Sequence, residues 1–513
     1  MITIGDRFLT LDDFYEVIYK NAKVELSKKS IEKVEHSFLF LTNFSKEKVI
    51  YGINTGFGPM AEYKIHEQEQ VQLQYNLIRS HCAGSGNLIS QSSIRALILA
   101  RINSLALGYS GVHIDLIYTL VKLLNLNILP VIYEHGSVGA SGDLVQLAHL
   151  ALCLIGEGEV HYEGKIVETC AVFKEHQITP IKIYMREGIA LMNGTSAMTG
   201  IGILNVIAAH NLVNWSIASS CMINEIVESY DDHFSLELNK VKHHPGQQKV
   251  SAAMRNILDS TNLIRKRSEH LYSNKKEEGS LGEKVQEYYS IRCVPQVLGP
   301  IYDTIKYAEE TLINELNSVN DNPVIDSDAN DVYHGGNFHG DYVALEMDKL
   351  KIAITKLSML CERQLNYLMN NKLNNILPPF INLGKLGLNF GMQGVQFTAT
   401  STVAENQTLS YPMYVHSIPN NNDNQDIVSM GTNAALLSRK VIDNSFEVIA
   451  IHFISIIQAI EYLGFQARIS NESSKIFTQL RKIVPKFEND LPKYKDLKAV
   501  RQFLFDTKLD FIK

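Results

Sequence analysis

Closely spaced cysteines are missing from this sequence. Its six cysteines, Cys82, Cys153, Cys170, Cys221, Cys293 and Cys361, are scattered with no CxxC pair. That argues against a disulfide framework and predicts reduced core residues in a cytoplasmic protein. An excess of positive charge is missing too: the net charge is −7, which implies no general affinity for nucleic acid. The N-terminus, Met1-Ile2-Thr3-Ile4-Gly5-Asp6, has no basic-then-apolar leader pattern. There is no low-complexity segment and no repeat at solenoid spacing. The most apolar window, residues 448–457, contains His452 and is flanked by Asp443, Asn444, Glu447 and Gln458. A core helix explains it better than a membrane span. What remains is ordinary for a globular protein: 45% apolar and 20% charged residues in a chain of 513, enough for two or more large cores.

Along the chain, residues 1–47 mix short apolar runs with Lys and Glu and predict small surface helices. Residues 49–59 carry three glycines, a proline and an asparagine among aromatics and predict a loop. Helices are expected over 67–80, over 91–108 with a stop at Gly108, and over 115–127 before Pro130. Short alternating stretches, Glu159-Val160-His161-Tyr162, Lys165-Ile166-Val167 and Ile181-Lys182-Ile183-Tyr184, predict a few small strands. Residues 196–229 predict a long buried helix around Trp215.

Two later stretches have the clearest period. Val343, Met347, Leu350, Ile354, Leu357, Cys361, Leu365 and Leu368 recur at spacings of four and three, and so do Ile442, Phe446, Ile449, Phe453, Ile456, Ile460 and Leu463. Each describes a long helix with one apolar stripe, suited to a bundle and to burial against other subunits. The fold class predicted is mainly α: a smaller N-terminal mixed domain over 1–195 with a Gly-rich loop and a few short strands, then a long-helix bundle over 196–513. Residues 266–284, with Lys266, Arg267, Lys275, Lys276, Glu277, Glu278, Gly279 and Ser280, predict a mobile surface loop.

The Gly-rich loop is Gly136-Ser137-Val138-Gly139-Ala140-Ser141-Gly142-Asp143, and it runs into an apolar helical pattern over 144–155. Two readings are open. A side-chain-poor loop at a helix N-terminus suits an anion, because free N–H groups and the helix dipole point there. Alternatively, the Gly142 nitrogen attacks the Ala140 carbonyl and Ser141 loses water, which makes the backbone an electrophile. Other polar loops surround the question: Tyr51 to Pro59, Met192-Asn193-Gly194-Thr195, Gln286 to Gln296, Asn320-Asp321-Asn322-Pro323, Gly335 to Gly340 and Asn420 to Asp426. Amides and tyrosines with few charges suit a closed pocket of fixed hydrogen bonds.

Taken together, Tyr51-Gly52-Ile53-Asn54-Thr55-Gly56-Phe57-Gly58, Gly136 to Leu144, Asn193-Gly194-Thr195, Gln286 to Cys293, Asn320 to Pro323, Gly336 to His339 and Asn424-Gln425-Asp426 resemble the aromatic amino acid ammonia-lyase family, which includes the histidine, phenylalanine and tyrosine enzymes. The resemblance covers most of the chain. It implies that Ala140-Ser141-Gly142 cyclises by itself to 5-methylidene-imidazol-4-one (MIO) with no external cofactor, and that the protein is a homotetramer whose sites combine several subunits. It implies Tyr51 as base, with Tyr289 completing the site and relaying protons. A phenol is a poor base in water, so that role needs positive surroundings. Arg292 matches the clamp on the substrate carboxylate, where a bidentate guanidinium fixes orientation as well as charge. Gln286 matches a residue completing the site, Asn193 an amide near the MIO carbonyl, and Phe338 an aromatic wall. No metal is implied: His334, His339 and Asp341 sit among glycines with no zinc-helix spacing, and His135, His243 and His244 are expected to be structural.

The substrate reading is split. Ser80-His81 matches the usual pattern of histidine enzymes at the selectivity position. Gln425 stands where histidine enzymes have Glu and phenylalanine and tyrosine enzymes have Gln. His81 is also able to bind a phenol, and the chain resembles most a bacterial tyrosine-specific subgroup that makes 4-coumarate for pigments. The expected reaction is therefore L-tyrosine to 4-coumarate and ammonia. The alternatives are L-histidine to urocanate, an aminomutase, or a non-catalytic helical oligomer that binds an anion. An amino acid is the expected partner, with no nucleic acid and no membrane.

Overall fold

The computed structural model describes residues 1–272, 278–282 and 284–512. The fold is mainly helical with a few short strands, as the periodicity predicts. The longest helices are Ser196–Ile226, Val294–Leu316, Asp341–Met369 and Gly431–Leu463. Ser196–Ile226 and Gly431–Leu463 are long and apolar enough to cross a membrane, but their most apolar windows are 89% and 78% buried within the protein. They are core helices. Both predicted stripes are buried, from Val343 to Leu368 and from Ile442 to Ile460. They are covered within one chain, so they do not themselves call for a second subunit.

The chain divides into two compact units. The first comprises residues 1–207, 308–348 and 412–438. Its N-terminal region departs from the expected small surface helices. Helix Leu11–Tyr19 starts in a Thr10–Asp13 capping box, helix Lys28–Phe44 runs for 17 residues from the Ser27 cap, and strands Ile2–Ile4 and Val24–Leu26 pair in parallel. Three-residue strands are too short to show a period of two. Helices Glu67–His81, Gln91–Ala106 and Ile114–Leu126 lie where expected. Leu129–Pro130, Glu159–Tyr162 and Lys165–Glu168 form an antiparallel sheet.

Ile181-Lys182-Ile183-Tyr184 is not a strand. Its alternation is real, since Ile181 and Ile183 are buried. The Ile181 N–H donates to the Leu154 carbonyl at 3.0 Å, and the Glu187 carboxylate accepts the N–H groups of Tyr184 and the following Met185, at 2.9 and 2.8 Å. A helix-end carbonyl and a side-chain carboxylate thus take donors that a strand would give to its partner.

The second unit comprises residues 208–307, 349–411 and 439–513. Trp215 is fully buried; its indole N–H donates to the Leu504 carbonyl at 2.8 Å and its ring meets Phe453 edge-on, centroids 5.3 Å apart. Helices Pro245–Leu258, Asn471–Ile483 and Tyr494–Asp506 pack in this unit. Of the expected mobile loop, Lys275, Lys276 and Glu277 lie outside the described residues. Cys153, Cys221 and Cys361 are buried, Cys82 and Cys293 partly so, and all six thiols are free. Cys170 is exposed on helix Thr169–Glu175, contrary to the core placement expected for it.

Candidate active site

Helix Leu144–Leu154 follows Gly136–Asp143 directly, and Asp143 does not cap it with its side chain. The fully buried Asp143 carboxylate instead binds another helix. One oxygen accepts the N–H groups of Ala197 and Met198, both at 2.9 Å, at the start of Ser196–Ile226. The other accepts the hydroxyls of Ser137, at 3.0 Å, and Thr432. Burial pushes this carboxyl above its ordinary range, and the four donors pull against that shift.

The loop backbone is held from three other segments. Asp143 N–H donates to the Gly194 carbonyl at 2.8 Å, Gly340 N–H to Gly139 at 3.1 Å, and Met430 N–H to Val138 at 3.0 Å. Gly142, at φ +74°, has no room for a side chain, since a Cβ there would collide with Gly194 O. Glycine is therefore required by both conformation and space.

Two amides act on Ser141. Asn193 Nδ2 donates to its carbonyl oxygen at 3.0 Å, and Gln425 Nε2 donates to its Oγ at 2.8 Å. The turn bearing Asn193 is braced by buried Arg101, which donates to the Ala190 and Asn193 carbonyls and to Asn320 Oδ1. Burial pushes that guanidinium down to about 10, so it stays charged at neutral pH. Asn320 Nδ2 donates to Thr195 Oγ1 at 3.0 Å, and Asp321 forms a buried ion pair with Arg186. The Asn320-Asp321-Asn322 segment thus supports the Asn193 turn from behind.

Beside Ser141 lies an open cavity of about 260 Å³. His81, Gly136, Val138, Ser141, Gly142, Leu144, Val145, Asn420, Asn421 and Gln425 line it. His81 Nδ1 is 2.9 Å from the Leu77 carbonyl and 3.1 Å from Ser80 Oγ. A carbonyl only accepts, so Nδ1 carries a hydrogen in this contact. Tyr51 accepts the Gly58 N–H on its hydroxyl at 3.1 Å, and Gly58 in turn lies against the Asn421 side chain.

The first unit therefore gathers Ser141, Gly142, Asn193, His81 and Gln425, with Ala140 buried beside them and Tyr51 reaching the same rim through Gly58 and Asn421. Ser80 is exposed and contacts the His81 ring. Phe338 is half-buried and does not line the cavity. Gln286, Tyr289 and Arg292 belong to the second unit. There the Arg292 guanidinium lies over the exposed Tyr289 ring, 4.8 Å from its centroid. No carboxylate pairs with Arg292 among the described residues, and its Nε is buried without a partner. Gln286 is exposed. Among the described residues, no group of three or more His, Cys, Asp or Glu is placed to hold a metal ion.

Sequence reasoning missed Asp143, Arg101 and Thr432. Asp143 was visible only as a residue next to a helix, and apart from Ser137 the partners given above for all three are remote in sequence.

A sequence model described as aromatic amino acid lyase matches residues 9–482. The chain belongs to the aromatic amino acid lyase family. It is 37% identical over 505 residues to a histidine ammonia-lyase of Shouchella clausii, covering 98% of both chains. It is 39% identical over 501 residues to a tyrosine 2,3-aminomutase of a Myxococcus species, covering 96% of this chain and 95% of the relative. The crystal structure of a tyrosine aminomutase from Streptomyces globisporus superposes with a TM-score of 0.94 at 35% identity, covering 98% of this chain and 96% of the other.

This lyase family uses the self-formed MIO group, and the residues here fit it. Position 142 admits only glycine, the Ser141 carbonyl that would become the ring oxygen already has the Asn193 donor, and the Ser141 hydroxyl that would leave has the Gln425 donor.

Proposed function

We propose that this protein is a MIO-dependent ammonia-lyase acting on L-tyrosine, releasing 4-coumarate and ammonia. The observation that carries the reading is His81 at the cavity wall with its Nδ1 2.9 Å from the Leu77 carbonyl. With Nδ1–H committed to the Leu77 carbonyl, the ring's remaining acceptor is Nε2, whose lone pair a phenol O–H would satisfy. Gln425 supports it. An amide at this position is neutral, whereas an imidazole substrate would gain from a carboxylate accepting its N–H.

When formed, MIO supplies the electrophile that captures the substrate amine. Asn193 would hold the ring oxygen, where electron density accumulates; a preorganised amide there acts as an oxyanion-hole donor does. The N-terminus of helix Leu144–Leu154 adds a positive dipole end next to the loop. Tyr51 is the proposed base for the β-hydrogen. The Gly58 N–H occupies one lone pair of its oxygen and orients the hydroxyl. Arg292 is the proposed carboxylate clamp, and no carboxylate among the described residues pairs with its guanidinium. Tyr289 and Gln286 complete the site and Phe338 walls it. We place these roles in a homotetramer. In the second unit, helix Gln393–Leu409 buries only Val395, Ala399, Val403 and Asn406 and exposes Phe397. Sedimentation at micromolar concentration tests the assembly; a monomer would remove it.

The function is tested by incubating the protein with tyrosine, histidine and phenylalanine separately and recording ultraviolet spectra and products. Coumarate from tyrosine is expected. Urocanate without coumarate would make it a histidine enzyme, and a β-amino acid product would make it an aminomutase. A His81→Phe variant should lose preference for tyrosine over phenylalanine by at least about tenfold, the worth of one buried hydrogen bond.

A further inference from the structure

Arg292 ends the four-residue helix Tyr289–Arg292, and a new helix begins at Val294. Pro295 has no N–H, so the Ile291 carbonyl lacks the donor that a continuous helix would provide four residues on. The Asn224 amide lies against that carbonyl at 3.4 Å. One residue earlier, Gln364 Nε2 donates to the Ser290 carbonyl at 2.8 Å and to Ser220 Oγ at 2.9 Å. Asn224 also donates to the Ser220 carbonyl at 2.8 Å and accepts the Ser229 hydroxyl at 2.6 Å. Gln364 and Asn224 are both fully buried. All these groups belong to the second unit.

We infer that Gln364 is a positioning residue for the Arg292 clamp. Its amide spans from Ser220 to the backbone of the turn bearing Arg292 and sets that turn's height and tilt. Among the described residues the guanidinium has no carboxylate partner; it lies over the exposed Tyr289 ring and near buried His233. The direction in which Arg292 presents its fork is thus set through the backbone, by an amide that never meets the substrate. The inference rests on reading Arg292 as the carboxylate clamp.

The test compares two ligands that differ by one carboxylate: inhibition by 4-coumarate and by 4-vinylphenol, in wild type, Gln364→Met and Arg292→Met. Gln364→Met should weaken 4-coumarate by roughly tenfold, because a misplaced clamp loses its bidentate geometry, and leave 4-vinylphenol within about twofold. KM for tyrosine should rise with it. Equal weakening of both ligands, or of neither, overturns the inference. If Gln364→Met fails to fold, Gln364→Glu takes its place: it keeps the size and the acceptor for the Ser220 hydroxyl and deletes the donor to the Ser290 carbonyl. Arg292→Met separates the two claims. Unchanged 4-coumarate binding there removes the clamp reading, whereas loss there and not in Gln364→Met removes the positioning role alone. Should the wild type act on histidine, urocanate and 4-vinylimidazole serve as the pair.

Discussion

Gln425 Nε2 donates to Ser141 Oγ across 2.8 Å. The residue expected to choose the substrate thus touches the hydroxyl expected to leave when the electrophile forms. Gln425 sits in a turn whose residues Asn421, Asn422 and Asp423 all have positive φ, closed by the Asn420–Gln425 bridge.

Gln425→Glu should move preference from tyrosine toward histidine. A carboxylate accepts an imidazole N–H and is costly beside a phenyl ring, so the kcat/KM ratio of tyrosine to histidine should fall by at least about tenfold. Steady-state kinetics on both substrates measure it, and an unchanged ratio would show that selection lies elsewhere. Because the carboxylate cannot donate to Ser141 Oγ, the fraction of chains carrying MIO should be checked by intact mass.

Gly142→Ala should block MIO formation and destabilise the fold. The added Cβ meets Gly194 O, at a φ of +74° that L-residues rarely adopt. Gly164, at φ +77° with open space around its would-be Cβ, is the control. Gly164→Ala should cost only about 1–2 kcal/mol, the backbone penalty alone. Intact mass reports the chemistry: wild type should be lighter than its sequence by two waters, whereas Gly142→Ala and Ser141→Ala should keep full mass. A Gly142→Ala chain with the wild-type mass deficit would refute the steric argument.

Arg186→Met should cost about 3–5 kcal/mol in urea unfolding. Arg186 and Asp321 are both buried and bonded through two nitrogens, at 3.0 and 3.1 Å. Removing one partner strands the other charge. Replacing both, as Arg186→Met with Asp321→Leu, should recover much of the loss. A single variant as stable as wild type would mean that water reaches Asp321.

His452 should make the protein acid-sensitive. It is fully buried without a partner for either ring nitrogen, and burial pushes it from 6.5 down to about 3. The folded form keeps the ring neutral while the unfolded chain takes up a proton below about 6.5. Stability is therefore full above that pH and falls as pH drops from about 6.5 toward 3, by about 2 kcal/mol at pH 5 from this group alone. His452→Leu should flatten that part of the profile. Urea midpoints at pH 7 and pH 5 decide it; identical pH slopes would assign the sensitivity to other groups.

Periodicity exposed the long helices because each apolar stripe is a local pattern repeated over many turns. Leu357, Cys361, Ile449 and Phe453 are buried as that pattern requires. It was weaker for short elements: Ile181 and Ile183 alternate like a strand, but the Ile181 N–H donates to the Leu154 carbonyl at the end of a helix and the Tyr184 N–H to the Glu187 carboxylate. Gly142, Asn193 and Gln425 were legible because each lies in a dense cluster of Gly, Asn or Gln that no regular helix would choose. Asp143 was not legible in its actual role. A carboxylate before an apolar helix reads as that helix's own cap, and only the folded chain shows it binding the N-terminus of Ser196–Ile226 and the hydroxyl of Thr432.

By itself the sequence determined the mainly helical class, the membership signalled by its polar loops, and the Ala140-Ser141-Gly142 unit with its need for glycine. These follow from local chemistry: apolar period, turn residues and reactive groups held in one short stretch. Tertiary structure alone decided which donors meet Ser141, that His81 lines the same cavity as Ser141, and what supports the turn carrying Arg292. Hydrogen bonds between Ser141 and Gln425, or between Ser290 and Gln364, join residues 284 and 74 positions apart. No local pattern encodes such a pairing; it exists only once packing has brought the two backbones together.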